Sequence, residues 1–346
     1  MSKNIGIDVG YGFVKATDDE REFVFPSVVG IGQELRYRSE LSVRTRPLDN
    51  LSLTVDGRDY FVGDLAIRQS EIASRSLDPN RAEDRNVKVL MLAGLNLYTQ
   101  WENETFNVVT GLPTSYFAAY RDAWQNNLRG SHVLKFRVNG QEKEKTITIE
   151  KLRIVPQPLG TLYDRALNQA GAIQDEDLAS LSVGVVDVGF KTTDFAVADQ
   201  LEFIDHLSGS TPIGLSNAYG LIADRLRAEF KIDKEQHELD RIVERGEVRI
   251  AGKVYDISRT KREVFERVAH KIITELDSLW DYRNLDVIFF TGGGSQALAE
   301  WLLPEFRNAI LADSPQVANA RGFLKYANNI FRATMGEPAI RTSGNW

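Results

Sequence analysis

Asp8-Val9-Gly10-Tyr11-Gly12 and Asp187-Val188-Gly189-Phe190-Lys191 are two copies of one turn, and each lies between two short β-branched strands. Glycine turns of this kind bring backbone N–H groups close to a phosphate chain. An aspartate at the end of the incoming strand can hold the water shell of an accompanying Mg²⁺ ion. Two such loops that face each other therefore predict a phosphate clamp, in which Asp8 and Asp187 hold the metal through water.

Composition narrows the class of protein. The chain has 346 residues, 42% of them apolar, and no stretch near the roughly 18 uninterrupted apolar residues of a membrane span, which indicates a soluble globular protein of about two domains. The net charge of −7 and pI of about 5.4 argue against direct binding of nucleic acid or an anionic membrane. The absence of cysteine excludes disulfides and thiolate-bound metals, and the polar start Met1-Ser2-Lys3-Asn4 favours a cytoplasmic location.

The strands around each turn repeat as a unit. The predicted strands are residues 5–9, 13–14 and 22–25 in the first copy, and residues 183–186, 195–197 and 201–204 in the second. An internal duplication of a β-β-β unit predicts two similar α/β domains with a cleft between them.

Two stretches interrupt the repeat and are expected to form peripheral subdomains. The first, about residues 31–80, contains a hairpin that turns at Asp56-Gly57-Arg58; the second, about residues 214–257, contains two helices and a hairpin that turns at Ala251-Gly252. A further hairpin is predicted to turn at Asn139-Gly140.

A glycine run follows the last strongly apolar strand. Residues 287–290 lead into Thr291-Gly292-Gly293-Gly294-Ser295, and a helix is predicted over residues 296–302. Three residues without side chains let a flat ligand lie against the backbone, although a simple strand-to-helix turn has the same pattern. Apolar spacing predicts another helix over residues 159–170, closed by Gly171.

These motifs, taken in this order, resemble the actin superfamily, and over nearly the whole length the chain is most similar to its ParM/StbA group of bacterial and archaeal actin-like proteins. Ala318-Asn319-Ala320-Arg321-Gly322-Phe323 resembles the helix on which the chain returns to the first domain. The resemblance implies an actin-like, duplicated two-domain α/β fold with a nucleotide cleft. Domain I would comprise residues 1–156 plus 318–346, and domain II residues 157–317.

The resemblance also implies a binding site for ATP or ADP with Mg²⁺. Asp8-Val9-Gly10-Tyr11-Gly12-Phe13-Val14-Lys15 corresponds to the first phosphate loop, the segment from Asp187 to Asp194 to the second, and the glycine run to the adenosine loop. The chain departs from the family pattern at two positions. Tyr11 replaces a small serine of actin, so backbone N–H groups would make the phosphate contact there. Phe190-Lys191 replaces the usual Gly-Gly or Gly-Thr, and Lys191 could contact phosphate or point to solvent. The implied nucleotide-binding residues are Asp8, Gly10, Tyr11, Gly12, Lys15, Gly189, Phe190, Lys191, Thr192, Gly292, Gly293, Gly294 and Ser295.

Gln157 falls at the first connection between the domains, where ParM-like proteins and actin carry a Glu or Gln. A glutamine can orient an attacking water without a tuned pKa, so the resemblance implies that Gln157 and Asp187 are catalytic; otherwise Gln157 is a turn residue between Pro156 and Pro158. Sugar kinases need a carboxylate general base, and none is placed equivalently beside Gln157, which favours ATP hydrolysis.

The expected function is that of a filament-forming ATPase. ATP would hold a closed, assembly-competent state, and hydrolysis would permit disassembly. The resemblance implies self-association into a polar filament and a plasmid cargo joined through a DNA-binding adaptor protein, without direct contact to nucleic acid or membrane. The alternatives are another cytoskeletal scaffold and a monomeric small-molecule kinase.

Overall fold

Two β-sheets, one in each half of the chain, organise the protein. The computed structural model describes residues 2–33, 46–75, 85–99, 103–138 and 141–331. The predicted turn at Asn139-Gly140, part of the first insertion and residues 332–346 of the expected domain I lie outside these ranges.

The first sheet contains ten strands among the described residues. They are β1 Lys3–Val9, β2 Phe13–Thr17, β3 Glu22–Pro26, β4 Val28–Ile31, β5 Ser52–Val55, β6 Arg58–Val62, β7 Ala73–Arg75, β8 Glu104–Leu112, β9 Gly130–Val138 and β10 Gln141–Pro156, in the spatial order β3-β2-β1-β8-β10-β9-β5-β6-β4-β7. Strands β1, β2 and β3 form an antiparallel meander, whereas β1, β8 and β10 run parallel.

The second half repeats this plan. Its strands are β11 Ser182–Val188, β12 Thr193–Asp199, β13 Glu202–Phe203, β14 Gly209–Thr211, β15 Glu247–Ile250, β16 Lys253–Asp256, β17 Val287–Thr291 and β18 Ala309–Leu311. An antiparallel meander of β11, β12 and β13 again adjoins parallel strands, here β17 and β18, while β15 and β16 pair only with each other. The predicted duplication is confirmed at the level of sheet topology.

Helices cover the sheets. They are α1 Asp64–Gln69, α2 Arg85–Asn96, α3 Thr114–Leu128, α4 Leu159–Ala166, α5 Glu176–Ala179, α6 Leu215–Phe230, α7 Asp240–Arg245, α8 Ser258–Leu279, α9 Gly292–Leu302 and α10 Ala318–Ile330. Each sheet has its own apolar core: Ile5, Ile7 and Leu90 belong to the first, and Val186, Ile272 and Phe290 to the second. No helix of the described ranges is long and apolar enough to cross a membrane.

Both predicted insertion hairpins are present. Asp56 and Gly57 have φ angles of 50° and 73°, and Ala251 and Gly252 have φ angles of 46° and 83°. Two consecutive left-handed residues form the tight turn that matches the twist of the flanking strands. We call residues 46–75 together with β4 the first insertion, and residues 214–257 the second insertion.

Three predicted elements have different bounds in the structure. The strand expected over residues 201–204 is reduced to β13, because Gln200 and Leu201 adopt left-handed φ angles of 50° and 65° in the preceding turn. The helix expected over residues 159–170 ends at Ala166, since Leu167 is extended and bridges to Ile173. The helix expected from residue 296 begins at Gly292, so the glycine run is its first turn rather than a loop.

Helices α4 and α10 cross where the chain passes between the two sheets. A Cβ atom added to Gly322 would clash with the carbonyl oxygen of Gly160, and one added to Gly160 would lie 2.7 Å from the Asn319 Cα. The two backbones therefore touch without side chains between them. This contact brings residues of α10 to the floor of the space between the sheets.

Candidate nucleotide site

A cavity of about 430 Å³ lies between the two sheets, and both Asp-X-Gly turns open into it. Of the predicted nucleotide-binding and catalytic residues, its walls contain Asp8, Gly10, Tyr11, Gly12, Lys15, Gln157, Asp187, Gly189, Phe190, Thr192, Gly292, Gly293 and Gly294. Lys191 and Ser295 are not among the lining residues. We call this cavity the cleft, and the structure thus brings nearly all of the predicted positions together in it.

The first turn presents a buried carboxylate. Asp8 is buried near the end of β1, and its Oδ2 accepts a 2.9 Å ion-paired hydrogen bond from Lys15 Nζ, because the β1–β2 register places the two residues opposite each other. Its Oδ1 is buried and has no hydrogen-bond partner among the described residues. The Ser27 hydroxyl donates to the Gly10 carbonyl at 2.7 Å and fixes the turn.

The second turn presents another buried carboxylate, Asp187, which is held by two side-chain amides. Asp187 Oδ2 accepts hydrogen bonds from Gln157 Nε2 and Asn319 Nδ2, both at 2.8 Å. Burial, and then the negative charges of Asp8 and Asp194, raise the pKa of Asp187 to about 7; Lys15 and the Gln157 amide act in the opposite direction. A nearby cation would favour the ionised form.

Asn319 is a member of the site that the sequence does not single out. Its Oδ1 accepts hydrogen bonds from the Thr161 backbone N–H at 3.0 Å and from the Thr161 hydroxyl at 2.8 Å, so α4 orients its amide toward Asp187. The sequence signal for Asn319 is only its position in the segment resembling a connecting helix. Gln157, just after β10, and Asn319 of α10 therefore line the inner end of the cleft, where the two halves meet.

Gln157 follows Pro156 at the end of β10. Its backbone N–H donates to the Leu112 carbonyl at 2.8 Å, and its side chain reaches Asp187 of the other sheet. A Cβ atom at Gly111 would lie 2.8 Å from the Gln157 Cα, so glycine is needed there for this backbone to approach β8. The side-chain nitrogen is used by Asp187, which leaves Oε1 to accept a hydrogen bond.

The glycine run lies against the second turn. Gly292 has a φ angle of 85°, and a Cβ atom there would clash with Asp187 Oδ1; at Gly294 it would lie 2.5 Å from the Val188 Cγ1. Side chains at these positions would push α9 away from β11. Ser295 is fully buried behind this wall.

The two turns touch directly. A Cβ atom at Gly12 would lie 3.0 Å from the Phe190 Cβ. Tyr11 is only 5% exposed and packs in the core of the second sheet, beside Val188 and Phe190. The Lys191 ammonium lies 5.2 Å from the centroid of the Tyr11 ring.

The outer part of the cleft combines apolar and charged side chains that sequence reasoning missed. Phe265 and Lys261 come from α8, Val243 and Glu244 from α7, and Gln316 precedes α10. They are far apart in sequence, and no local motif marks them.

The donor set at the inner end suits a metal ion held through water. Within the described ranges there is no group of three or more His, Asp or Glu side chains that could ligate a metal directly. Asp8 and Asp187 are two buried carboxylates on opposite walls, and Asp8 Oδ1 has unused acceptor capacity. Mg²⁺ commonly keeps several waters and binds through one or two carboxylates together with substrate phosphates.

Comparison with known proteins agrees with this architecture. Residues 6–160 match the family model described as the N-terminal domain of actin-like proteins, and residues 185–303 match that of the C-terminal domain of the archaeal MreB-like actin homologue. No curated protein matches the chain.

Solved structures with the same fold include a 15-stranded ParM filament from Clostridium botulinum, which is 26% identical, with 94% of this chain and 99% of that chain covered and a TM-score of 0.79. An archaeal actin homologue in complex with ADP is 20% identical, with 94% and 99% covered and a TM-score of 0.74. Bacillus thuringiensis ParM with AMPPNP is 17% identical, with 93% and 97% covered and a TM-score of 0.68. The predicted two-domain α/β fold is confirmed.

Proposed function

Because this chain belongs to the actin-like proteins, we propose that it binds ATP with Mg²⁺ in the cleft, hydrolyses it, and assembles into filaments whose lifetime is set by that hydrolysis. One observation carries the proposal: two Asp-X-Gly turns from different sheets line one cavity and touch through Gly12 and Phe190. Neither turn could enclose a polyphosphate alone. Nucleotide binding would therefore join the two halves, divided as residues 1–156 plus 318–346 and residues 157–317.

The phosphates would lie between the turns, where backbone N–H groups at Gly10 and Gly12 and the Lys15 ammonium favour negative charge. The Gly189 N–H instead donates to the Thr192 carbonyl at 2.9 Å and closes the second turn. The nucleoside would lie along the glycine run, where Gly293 faces largely open space, while Gly292 and Gly294 pack closely against the second turn. Lys191 and Ser295, which lie outside the cleft walls, remain predictions as nucleotide contacts. Two structures with the same fold contain ADP and AMPPNP, which supports nucleotide binding by this fold.

Asp8 and Asp187 would hold the waters of a bound Mg²⁺, whose charge would offset that of the phosphate oxygens. Because the pKa of Asp187 is raised to about 7, its carboxyl is only partly ionised near neutral pH, and a bound cation would favour the ionised form. Metal and nucleotide would accordingly bind together.

Hydrolysis requires a water placed in line with the terminal phosphorus. Asp187 and the prolines around Gln157 hold its amide, so Oε1 can accept a hydrogen bond from that water. As the water oxygen bonds to phosphorus, the bond to the bridging oxygen breaks, and the proton leaves with the phosphate product. A glutamine supplies orientation rather than proton abstraction.

The filament part of the proposal rests on family membership and on the ParM filament of the same fold. A DNA-binding adaptor that joins such a filament to a plasmid in the cytoplasm is the specific role we propose. ATP bridging the two halves would favour the subunit shape that stacks head to tail, and hydrolysis would weaken it.

Sedimentation tests the proposal. Wild-type protein should pellet above a critical concentration with Mg²⁺ and ATP or AMPPNP, and remain in the supernatant with ADP. Asp187→Ala should neither pellet nor release phosphate. Protein that binds ATP, stays monomeric at every concentration and phosphorylates a sugar or small alcohol would contradict the filament and support the kinase alternative.

A further inference from the structure

An ion pair joins the two insertions across the cleft. Arg75, at the end of β7 in the first insertion, contacts Asp240, at the start of α7 in the second, with 2.7 Å between Nη2 and Oδ2. The Arg75 side chain is only 3% exposed and the Asp240 side chain 19%. A second pair, Arg241 with Asp64, spans the same gap at 3.5 Å but is much more exposed.

Arg75 also contacts the second Asp-X-Gly turn. Its guanidinium carbon lies 4.5 Å from the centroid of the Phe190 ring and 5.9 Å from that of Phe13, which follows the first turn. A planar guanidinium over an aromatic face in a buried setting is a favourable arrangement that a surface ion pair lacks. Arg241 has no ring contact of this kind among the described residues.

Phe190 is held on several sides. Gly12 lies against its Cβ, and the Tyr219 ring meets its ring edge-to-face at 5.2 Å. Its carbonyl accepts a 2.6 Å hydrogen bond from the Ser216 N–H, which ties the turn to the start of α6. Of these contacts among the described residues, the one with Arg75 depends on the first insertion being in place.

We propose that Arg75 is a positioning residue, which holds Phe190 and with it the second phosphate loop in the binding geometry only while the two insertions are together. It acts through Phe190 and Asp240 and does not line the cleft. The inference rests on the proposed nucleotide function and adds a specific coupling to it: separating the insertions removes the guanidinium from Phe190 and loosens the loop around the phosphates.

Equilibrium binding of fluorescent ATP and ADP, together with ATP turnover, tests this proposal in Arg75→Ala and in the matched control Arg241→Ala. Loss of a buried cation–π contact and ion pair should weaken ATP binding by about tenfold or more. ADP, which lacks the terminal phosphate, should be affected less. The exposed pair in the control should change ATP affinity by less than about twofold. Arg75→Lys keeps the charge but not the planar stack, so it should recover only part of the affinity.

A merely structural ion pair would lower stability without changing the ratio of ATP to ADP affinity, and that outcome would overturn the proposal, as would equal effects of Arg75→Ala and Arg241→Ala. If Arg75→Ala does not fold, Asp240→Asn serves instead and should shift the same ratio in the same direction. Wild-type protein that binds neither nucleotide would refute the proposed function itself, a result distinct from a failure of the coupling alone.

The absence of cysteine allows a direct measurement of the insertions. Labels at Arg58→Cys and Lys253→Cys, both exposed hairpin positions, report the distance between the two. Without nucleotide we expect a broad distribution of this distance. Magnesium and AMPPNP should shift it to a narrow distribution at short distance in the wild type and in Arg241→Ala. In Arg75→Ala the broad distribution should persist, and a wild-type response there would overturn the inference.

Discussion

Asp187→Asn should stabilise the nucleotide-free protein and abolish its stabilisation by nucleotide. Asparagine has the same shape, and its Oδ1 can still accept hydrogen bonds from Gln157 and Asn319. The change removes a charge that the folded protein accommodates poorly. The pKa of Asp187 lies near 7 rather than 3.8, first because of burial and then because of Asp8 and Asp194.

The magnitude follows from linkage. Between pH 3.8 and about 7 the folded protein binds more protons at Asp187 than the unfolded chain does, so its contribution to stability falls as pH rises through this range. At about 1.4 kcal/mol per pH unit, the difference in unfolding free energy between Asp187→Asn and wild type should grow by about 2–3 kcal/mol between pH 5 and pH 8.

Urea unfolding in EDTA at a series of pH values measures this difference, with Asp199→Asn as the control because Asp199 is an exposed carboxylate at the end of the neighbouring strand β12. The control should show no such growth. Addition of Mg²⁺ and ATP should then raise the stability of the wild type and leave Asp187→Asn unchanged. If Asp187→Asn is destabilised equally at pH 5 and pH 8, the argument that the buried charge of Asp187 destabilises the folded protein is refuted.

Three further outcomes are expected. Gln157→Ala should bind ATP within about threefold of wild type but release phosphate at least about tenfold more slowly, so that filaments persist longer; unchanged phosphate release from assembled protein would return Gln157 to a turn residue. Gly322→Ala should lower the free energy of unfolding in urea by more than about 2 kcal/mol, because its Cβ would clash with the Gly160 carbonyl. The control Gly220→Ala, whose Cβ would lie in open space, should not. Equal stabilities of the two variants would show that α4 and α10 can separate without cost. EDTA should abolish the increase in melting temperature caused by ATP, and an increase that survives chelation would separate nucleotide binding from Asp8 and Asp187.

The fold could be predicted from the sequence because its main signals are short, local patterns. The Asp8 and Asp187 turns, their flanking strands and the Asp56-Gly57 hairpin are each encoded within a few residues. Asn319 could not be predicted as a partner of Asp187, since 132 positions separate them and only the crossing of α10 over α4 brings them together.

Tertiary packing adds what local patterns could not show. Tyr11 departs from the small serine of actin, and the structure places its ring in the core of the second sheet, although the residue also lines the cleft. The sequence predicts the helix after the glycine run only from residue 296, because glycine disfavours helices. Close packing of Gly292 and Gly294 against Asp187 and Val188 offsets that preference.

The close contact of Gly160 and Gly322, without side chains between them, has a consequence for rotation of the two halves relative to each other. At this crossing the backbones of α4 and α10 are in direct contact, so a rotation of one half relative to the other would require no side-chain rotamer change there. The α4–α10 crossing should therefore resist rotation little. The main resistance should come from the Arg75–Asp240 ion pair and from Tyr11, whose ring would have to leave the core of the second sheet. If the cleft binds nucleotide as proposed, single substitutions at Arg75 or Asp240 should change the rate of its opening and of nucleotide exchange while leaving the Gly160–Gly322 contact intact.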